Sequence, residues 1–210
     1  MNDVVDFFIS AYRESSEVVI ALEALAFITG IMSVWYAKKE NILVYPTGIV
    51  CTVITVYLLY INQYFGDMMM NAYYSIMSIY GWWNWSRKKQ GKYVVPVSRT
   101  DRKERLVGVG LFFITMLITY LVYCAFEYDL EVPNYIDIVT SGIFFTAMWY
   151  MANKKIENWT LWIIADIITI PLYAYRGLGM LSLQYLIFTI LAIQGYIEWK
   201  KTLSKNLQPV

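Results

Sequence analysis

Histidine is absent from the 210-residue chain, and charged residues make up only 16% of it. Without histidine, Ser-His-Asp catalysis, the HExxH zinc motif and haem ligation by histidine are excluded. The only two cysteines, Cys51 and Cys124, both lie within apolar stretches. We interpret them as small hydrophobic side chains, not as a disulfide or a metal site. The sequence therefore predicts neither a metal nor a cofactor.

Hydrophobic residues form 59% of the chain, which is too many for an ordinary soluble domain. A helix that spans a membrane needs about 20 mainly apolar residues to cross about 30 Å of hydrocarbon. Seven blocks of suitable length cover 17–37, 43–61, 67–85, 106–126, 133–152, 158–175 and 180–199. The sequence thus predicts an all-α integral membrane protein with seven transmembrane helices in a lipid bilayer. The net charge of +1 indicates nothing about partners, and we expect no nucleic-acid partner for such a membrane protein.

Basic residues divide unevenly between the two sides of this arrangement. Of the 17 lysines and arginines, only Arg13 and Arg176 fall on one side. Because positive residues mark the cytoplasmic side, the amino end is predicted to be outside and the carboxyl end cytoplasmic. Residues 1–16 form an amphipathic segment expected along the outer interface, with a further span as the alternative. Residues 201–210 are predicted to be a cytoplasmic tail.

The chain also repeats itself after 114 positions. The matches include Trp35 with Trp149, Gly81 with Gly195, Trp85 with Trp199 and Glu23 with Asp137. We therefore divide a single transport domain, 17–200, into repeat one (17–87), a linker helix (106–126) and repeat two (133–200). This 3 + 1 + 3 arrangement makes the two three-helix repeats parallel. Parallel repeats are a transporter design with the substrate site near the midplane between them.

Acidic residues inside predicted spans are costly, and their default interpretation is functional. Glu23 and Asp137 occupy equivalent repeat positions near the outer ends of helices, which slightly favours a symmetric structural role. Asp166 differs, because its repeat equivalent is Thr52. This asymmetry favours a role for Asp166 in binding a ligand.

Polar and aromatic residues form two stripes at helical spacing. Asn71, Tyr74, Ser78 and Trp82 share one face of the third helix, and Trp162 lies one turn from Asp166 in the sixth. Hydrogen bonding between helices and aromatic packing are the alternative explanations. With no lysine or arginine in mid-span, a phosphate would find no partner. A flat cationic aromatic molecule fits better, with cation–π attraction of about 0.5–2 kcal/mol.

Three motifs carry a family resemblance: IYGWWNW at 79–85, ENWTLWIIAD at 157–166 and LSLQY at 181–185. They resemble the PnuC family of bacterial vitamin transporters. The resemblance implies a SWEET-type fold, a homotrimer in the inner membrane, and facilitated diffusion of nicotinamide riboside or a related vitamin. Phosphorylation by a cytoplasmic kinase would then trap the substrate. The substrate-binding residues predicted from the stripes and the resemblance are Asn71, Tyr74, Ser78, Trp82, Trp162, Asp166, Gln184 and Tyr185.

The sequence departs from the family pattern at three of these positions. Asp166 and Ser78 stand where asparagine is expected, and Asn71 stands where glutamine is expected. An aspartate favours a cation and argues against neutral riboflavin, but it leaves nicotinamide riboside and thiamine open. Proton-coupled uptake is the alternative transport mode. A membrane-embedded enzyme using Asp166 or Asp137 as acid or base, and a sensor or structural subunit, are the alternative functions.

Overall fold

The computed structural model describes residues 16–61, 65–89, 92–93, 95–125, 130–175 and 179–206. Within these residues there are seven helices and one small antiparallel hairpin. The helices are α1 (Glu17–Lys38), α2 (Val44–Ile61), α3 (Phe65–Ser86), α4 (Arg102–Ala125), α5 (Val132–Ala152), α6 (Glu157–Tyr175) and α7 (Gly179–Asn206); the hairpin pairs β1 (Lys88–Lys89) with β2 (Lys92–Tyr93). The predicted amphipathic segment lies outside the described residues except for Ser16, which caps α1 by accepting a hydrogen bond from the Val19 amide.

The prediction of seven helices is confirmed for the described residues, with two ends that differ. The linker helix α4 begins at Arg102 instead of residue 106, and α7 extends to Asn206 instead of 199. A reciprocal cap starts α4: Asp101 accepts from the Glu104 amide at 2.7 Å, and Glu104 accepts from the Asp101 amide at 2.8 Å. A search for apolar blocks does not detect charged terminal turns of this kind.

Four helices are both long and apolar enough to cross a membrane by themselves: α1, α2, α4 and residues Gly179–Lys205 of α7. Each of the other three, α3, α5 and α6, contains several residues from the set tyrosine, tryptophan, asparagine, serine and threonine. Transmembrane helices tolerate such residues where they face other helices instead of lipid. The seven spans therefore remain a prediction, while several apolar spans are evident.

Neighbouring helices pack in chain order within two groups, α1–α2–α3 and α5–α6–α7. Two further contacts, α1 with α7 and α3 with α5, join the groups along two seams. Helix α4 packs mainly on α5, where Thr146 Oγ1 donates to the Gly108 carbonyl at 3.2 Å. A side chain at Gly108 or Gly142 would collide with Tyr150 or Phe112, so close helix approach requires glycine at both positions.

Two turns of the chain have the same backbone geometry, and we call residues 39–43 the first turn and 153–156 the second turn. The Asn41 amide donates to the Tyr36 carbonyl, and the Lys155 amide donates to the Tyr150 carbonyl, both at 2.9 Å. Glu40 has φ 52° and its repeat equivalent Lys154 has φ 50°. L residues with side chains rarely adopt this left-handed conformation. We call the end of the bundle that carries both turns the turn end.

Helix packing next to the turns uses one arrangement twice. The Tyr45 and Trp85 rings meet edge-on at 5.1 Å, and the equivalent Trp159 and Trp199 rings meet edge-on at 5.4 Å. A Cβ on Gly195 would lie 2.6 Å from the Trp159 ring, and a Cβ on Gly81 would overlap Tyr45 more severely. These rings belong to the main buried core, which places that core at the turn end.

Candidate functional site

The structure brings three of the predicted substrate-binding residues into one group of rings. Tyr74 of α3 lies 6.2 Å from Trp162 of α6, measured between ring centroids. Phe144 of α5 lies 5.4 Å from Trp162 and 6.0 Å from Tyr185 of α7. Tyr173 of α6 lies 5.3 Å from Tyr185. We call these five residues the aromatic cluster; it joins helices of both groups where the groups face each other.

Asp166 lies on α6 one turn from Trp162 and is 2% exposed. Its Oδ1 atom is buried and has no hydrogen-bond partner among the described residues. Burying a polar group without a partner costs free energy, so such an atom in a folded protein calls for an explanation. Two further buried atoms of α6, Asn158 Oδ1 and Trp159 Nε1, are also without a partner in the described structure. Unused hydrogen-bonding capacity is therefore concentrated on this helix.

The remaining predicted residues occupy different surroundings. Gln184 lies against Gly30 of α1, where an added Cβ would be 3.3 Å from Gln184 Nε2. Ser78 is buried near Gly48 of α2. Asn71 accepts a hydrogen bond from Ser75 through its carbonyl oxygen at 3.0 Å. Gln184 and Ser78 thus face contacts among α1, α2, α3 and α7.

Helical spacing alone does not predict the surroundings of Trp82. Its spacing from Ser78 places both on one stripe, yet Ser78 is 4% exposed and Trp82 is 42% exposed. The structure gives Trp82 no ring contact within the aromatic cluster as described. A position near the membrane surface is a common environment for an exposed tryptophan at a helix end.

Two residues of the cluster, Tyr173 and Phe144, are not among the predicted substrate-binding residues, and the more central of the two is Phe144. It is buried and contacts two predicted site residues, Trp162 and Tyr185. A phenylalanine in an apolar span carries no polar signal. The repeat provides one clue, because the residue 114 positions before Phe144 is Gly30. The two repeats thus place a phenylalanine and a glycine at equivalent positions facing the interior.

The cluster can hold a flat cation through ring faces and a carboxylate. Aromatic faces attract cations, and Asp166 supplies the opposite charge one helical turn away. A ring sandwiched between two others needs centroids about 7 Å apart, two stacking distances of about 3.5 Å. The Tyr74 and Trp162 centroids are 6.2 Å apart and their planes are tilted by 50°, so these two rings do not form a parallel sandwich. A flat ligand would instead stack on one ring face.

The other intramembrane acid that the structure explains is Asp137. Its Oδ2 accepts a hydrogen bond from the Tyr123 hydroxyl of α4 at 3.1 Å. This contact ties the linker helix to α5, which agrees with the structural role predicted for Asp137. Glu23, its repeat equivalent, is half-buried in α1. Asp137 and Glu23 thus differ from Asp166 in sequence, because they are equivalent acids, and also in how their side chains are packed.

Several apolar helices surrounding an aromatic and acidic interior are the features of a membrane-embedded transporter. The chain matches the family described as the nicotinamide mononucleotide transporter over residues 20–201, and it belongs to that family.

Relatives with known substrates support this class. The nicotinamide riboside transporter PnuC of Escherichia coli K12 is 24% identical over 201 residues, covering 85% of this chain and 84% of the relative. PnuC of Neisseria mucosa is 25% identical over 195 residues, covering 88% and 74%. The riboflavin/roseoflavin transporter RibM of Streptomyces davaonensis is 22% identical over 150 residues, covering 69% and 68%. The chain is therefore a membrane transporter, as predicted, and its relatives are named as transporters and not as enzymes.

A solved structure shares the fold. The crystal structure of the vitamin B3 transporter PnuC superposes with a TM-score of 0.70 at 24% sequence identity. The match covers 88% of this chain and 82% of that one. The predicted membership of the PnuC family is therefore confirmed by the family match, the curated relatives and the fold together.

Proposed function

We propose that the chain takes up an unphosphorylated cationic aromatic vitamin, nicotinamide riboside or thiamine, by facilitated diffusion. The observation that carries the proposal is the buried Asp166 carboxylate. It has a free oxygen, Oδ1, one helical turn from the Trp162 ring of the aromatic cluster. A cation beside Asp166 would supply the missing partner, and the rings would bind the flat face of the ligand.

The position of the site is supported by contacts that follow the repeat. Tyr74 comes from repeat one, and Phe144, Trp162 and Tyr185 come from repeat two. The α1–α7 and α3–α5 seams are equivalent under the 114-residue shift, as are the two turns. These pairings favour the 3 + 1 + 3 arrangement, with α4 as the linker and the substrate path between two parallel groups.

The proposed orientation puts the turn end on the cytoplasmic side of a bacterial inner membrane. Lys38, Lys39, Lys154 and Lys155 all lie at or beside the two turns, and the basic segment before α4 joins the same end. This distribution agrees with the positive-inside rule. The homotrimer and the trapping of substrate by cytoplasmic phosphorylation follow from the family resemblance and belong to the same proposal.

Fluorescence titration tests the substrate directly, because the chain contains eight tryptophans. Purified protein titrated with nicotinamide riboside, thiamine and riboflavin should show saturable quenching with one of the two cations. Trp162→Phe should remove most of that quenching, whereas Trp83→Phe, at an exposed ring outside the cluster, should retain it. Binding of riboflavin alone, or of none of the three, would refute the cationic substrate.

Uptake into proteoliposomes separates facilitated diffusion from proton coupling. Facilitated diffusion predicts that the internal vitamin concentration rises to the external value and stops there. Accumulation beyond it that disappears when the proton gradient is removed would favour proton coupling instead, with Asp166 as the proton-carrying group. Mass determination in detergent tests the homotrimer in the same preparation.

A further inference from the structure

Most polar contacts between the two repeats in the described structure lie at the turn end; the bond from the Tyr73 hydroxyl to the Phe145 carbonyl lies further inside. In the α1–α7 seam, Lys38 Nζ donates to Gln194 Oε1 at 2.7 Å, and Trp199 Nε1 donates to the Ala37 carbonyl at 3.0 Å. In the α3–α5 seam, Asn84 Nδ2 donates to the Ala152 carbonyl at 3.0 Å. Both seams are thus closed by hydrogen bonds at this end of the bundle.

One ion pair connects the two turns. Lys154 Nζ of the second turn lies 3.5 Å from Glu40 Oε2 of the first turn. These residues are repeat equivalents, 114 positions apart, and both have positive φ. Equivalent positions that contact each other lie close to the axis relating the repeats. The ion pair therefore stands where a path between the repeats would reach the turn end.

The ion pair is largely buried, with 8% of the Lys154 side chain and 26% of the Glu40 side chain exposed. Lys154 Nζ also lies 4.5 Å above the Trp85 ring. Burial lowers the pKa of Lys154 despite the opposing effect of the Glu40 carboxylate. The ammonium group is thus held in surroundings that desolvate it, and losing Glu40 would leave it poorly compensated.

A polar cavity of about 350 Å³ borders this ion pair. Its lining consists of Lys39, Glu40, Asn41, Ile42, Trp85 and Lys154. The cavity gives both charged side chains a polar space in which to separate. A contact next to such a space can open without transferring either charge into an apolar core.

The two turns are held differently. Ser98, in the segment before α4, exchanges two backbone hydrogen bonds with the second turn: its amide donates to the Lys154 carbonyl at 3.1 Å, and its carbonyl accepts from the Ile156 amide at 3.0 Å. Lys155 also pairs with Glu104 of α4 at 2.7 Å. Within the described residues, no segment of this kind crosses the first turn. The second turn is therefore fixed to α4, and the first turn is freer to move.

We propose that the Glu40–Lys154 ion pair is a gate that closes the substrate path at the turn end, with the first turn as its moving part. The proposal rests on the path between the repeats proposed above, but not on which vitamin is carried. When the gate opens, Glu40 leaves Lys154, and the first turn with the adjoining ends of α1 and α2 moves away from the fixed second turn.

A thiol reporter tests the gate without any vitamin. Cys51 and Cys124 are replaced by serine, and Phe144→Cys puts one thiol in the aromatic cluster. Vesicles of known sidedness are treated with a membrane-impermeant charged thiol reagent from the turn end. Glu40→Gln should speed the reaction about tenfold, because the closed population falls when its ion pair is lost.

Glu198→Gln is the matched control, since Glu198 lies at the same end but pairs within α7 with Lys201 at 3.9 Å. It should leave the thiol reaction unchanged, and the charge exchange Glu40→Lys with Lys154→Glu should restore the slow reaction. An unchanged rate in Glu40→Gln, or an equal increase from the opposite side or in Glu198→Gln, would overturn the gate. Failure of vitamin binding would not alter this readout, so the two proposals fail separately.

Cross-linking examines the same gate in the closed state. In the background lacking Cys51 and Cys124, cysteines are introduced at positions 40 and 154 and joined by a short cleavable bis-maleimide. This cross-link should stop uptake by proteoliposomes and leave binding from the opposite side intact. Cleaving the spacer should restore uptake. Uptake at the original rate with the spacer in place would exclude a moving contact between these residues.

Discussion

The middle helices of the two groups, α2 and α6, share a backbone arrangement and differ in chemistry. In the first group, Thr52 and Ser75 form a hydrogen bond of 2.7 Å between α2 and α3. In the second, the residue equivalent to Thr52 is Asp166, whose Oδ1 has no partner within the described structure. Thr52 of α2 thus satisfies its hydroxyl through α3, whereas its equivalent Asp166 in α6 retains a buried acceptor. The Tyr45 hydroxyl at the start of α2 is also buried without a partner among the described residues. The difference between Thr52 and Asp166 is the one expected if the second repeat is specialised for the proposed binding.

The same contrast holds at the turn end. The first turn carries Glu40, and the equivalent position of the second turn carries Lys154, so the two equivalent residues have opposite charges. Identical charges there would repel each other, whereas this pair attracts. The equivalent tryptophans differ as well: Trp199 Nε1 donates to the Ala37 carbonyl, and Trp85 Nε1 has no partner in the described residues. Symmetry of the backbone thus coexists with asymmetry of the side-chain contacts.

The largest expected effect separates Asp166 from Thr52. Asp166→Ala should weaken binding of the cationic vitamin about 10- to 100-fold, because a hydrogen bond to a charged group contributes about 1.5–3 kcal/mol. Thr52→Ala, at the equivalent position, should change the affinity less than twofold, because Thr52 bonds to Ser75 and lies outside the aromatic cluster. Tryptophan fluorescence titration measures both. Equal losses in the two variants would contradict a specialised second repeat.

Glu23→Ala supplies a further contrast among the acids. Since Glu23 is assigned a structural role, its loss should mainly lower the yield of folded protein, with the affinity of the purified fraction retained. Size-exclusion profiles and the same titration distinguish the two effects. Normal yield with lost binding would reverse the roles of Glu23 and Asp166.

The next effect is expected at Gly81 and Gly195, against which the rings of Tyr45 and Trp159 pack. Gly195→Ala and Gly81→Ala should each destabilise the protein by about 1–3 kcal/mol, because the added Cβ overlaps Trp159 or Tyr45. Gly110→Ala is the matched control, since nothing lies within 4 Å of its Cβ position. Thermal unfolding in detergent provides the measurement. A loss at only one of Gly81 and Gly195 would show that the two packing arrangements are not energetically equivalent.

A smaller difference should separate the two equivalent tryptophans. Trp199→Phe removes the 3.0 Å hydrogen bond to the Ala37 carbonyl, while Trp85→Phe removes none from the described structure. Both variants replace the indole by a smaller ring, so the additional loss in free energy of unfolding in Trp199→Phe should be about 1 kcal/mol. Unfolding in parallel samples checks it. An equal cost would mean that Trp85 has an equivalent bond in solution.

The smallest effect is the pH dependence at the second turn. Burial lowers the pKa of Lys154 in the folded protein below the ordinary value of 10.5. Between those two values the unfolded chain binds more protons, so this residue makes stability rise with pH. Lys154→Met should flatten that rise, whereas Lys39→Met, at an exposed residue of the first turn, should not. The free energy of unfolding of both variants, measured at increasing pH up to the ordinary lysine pKa, tests this difference.

Much of the fold could be predicted from the sequence because membrane helices are defined locally. Apolar length placed α2, α5 and α6 within a residue or two of their ends, and the 114-residue match aligned Trp85 with Trp199, which pack in equivalent arrangements. Charged turns such as the start of α4 were missed because they carry no apolar signal. Three predicted site residues, Tyr74, Trp162 and Tyr185, lie in one aromatic cluster with Phe144, which was not selected, and Trp82 lies apart. Their role in substrate binding stays a prediction.

Sequence by itself determined the class of the protein, its helices and its family motifs, since each depends on residues close together in the chain. Tertiary structure decided which side chains meet. In lipid an apolar helix face need not be buried, so spacing indicates a stripe without fixing its rotation toward a neighbour. Close packing at Gly81 and Gly195 sets that rotation. It places Asp166 inside the bundle, and the matching turns bring Glu40 to Lys154.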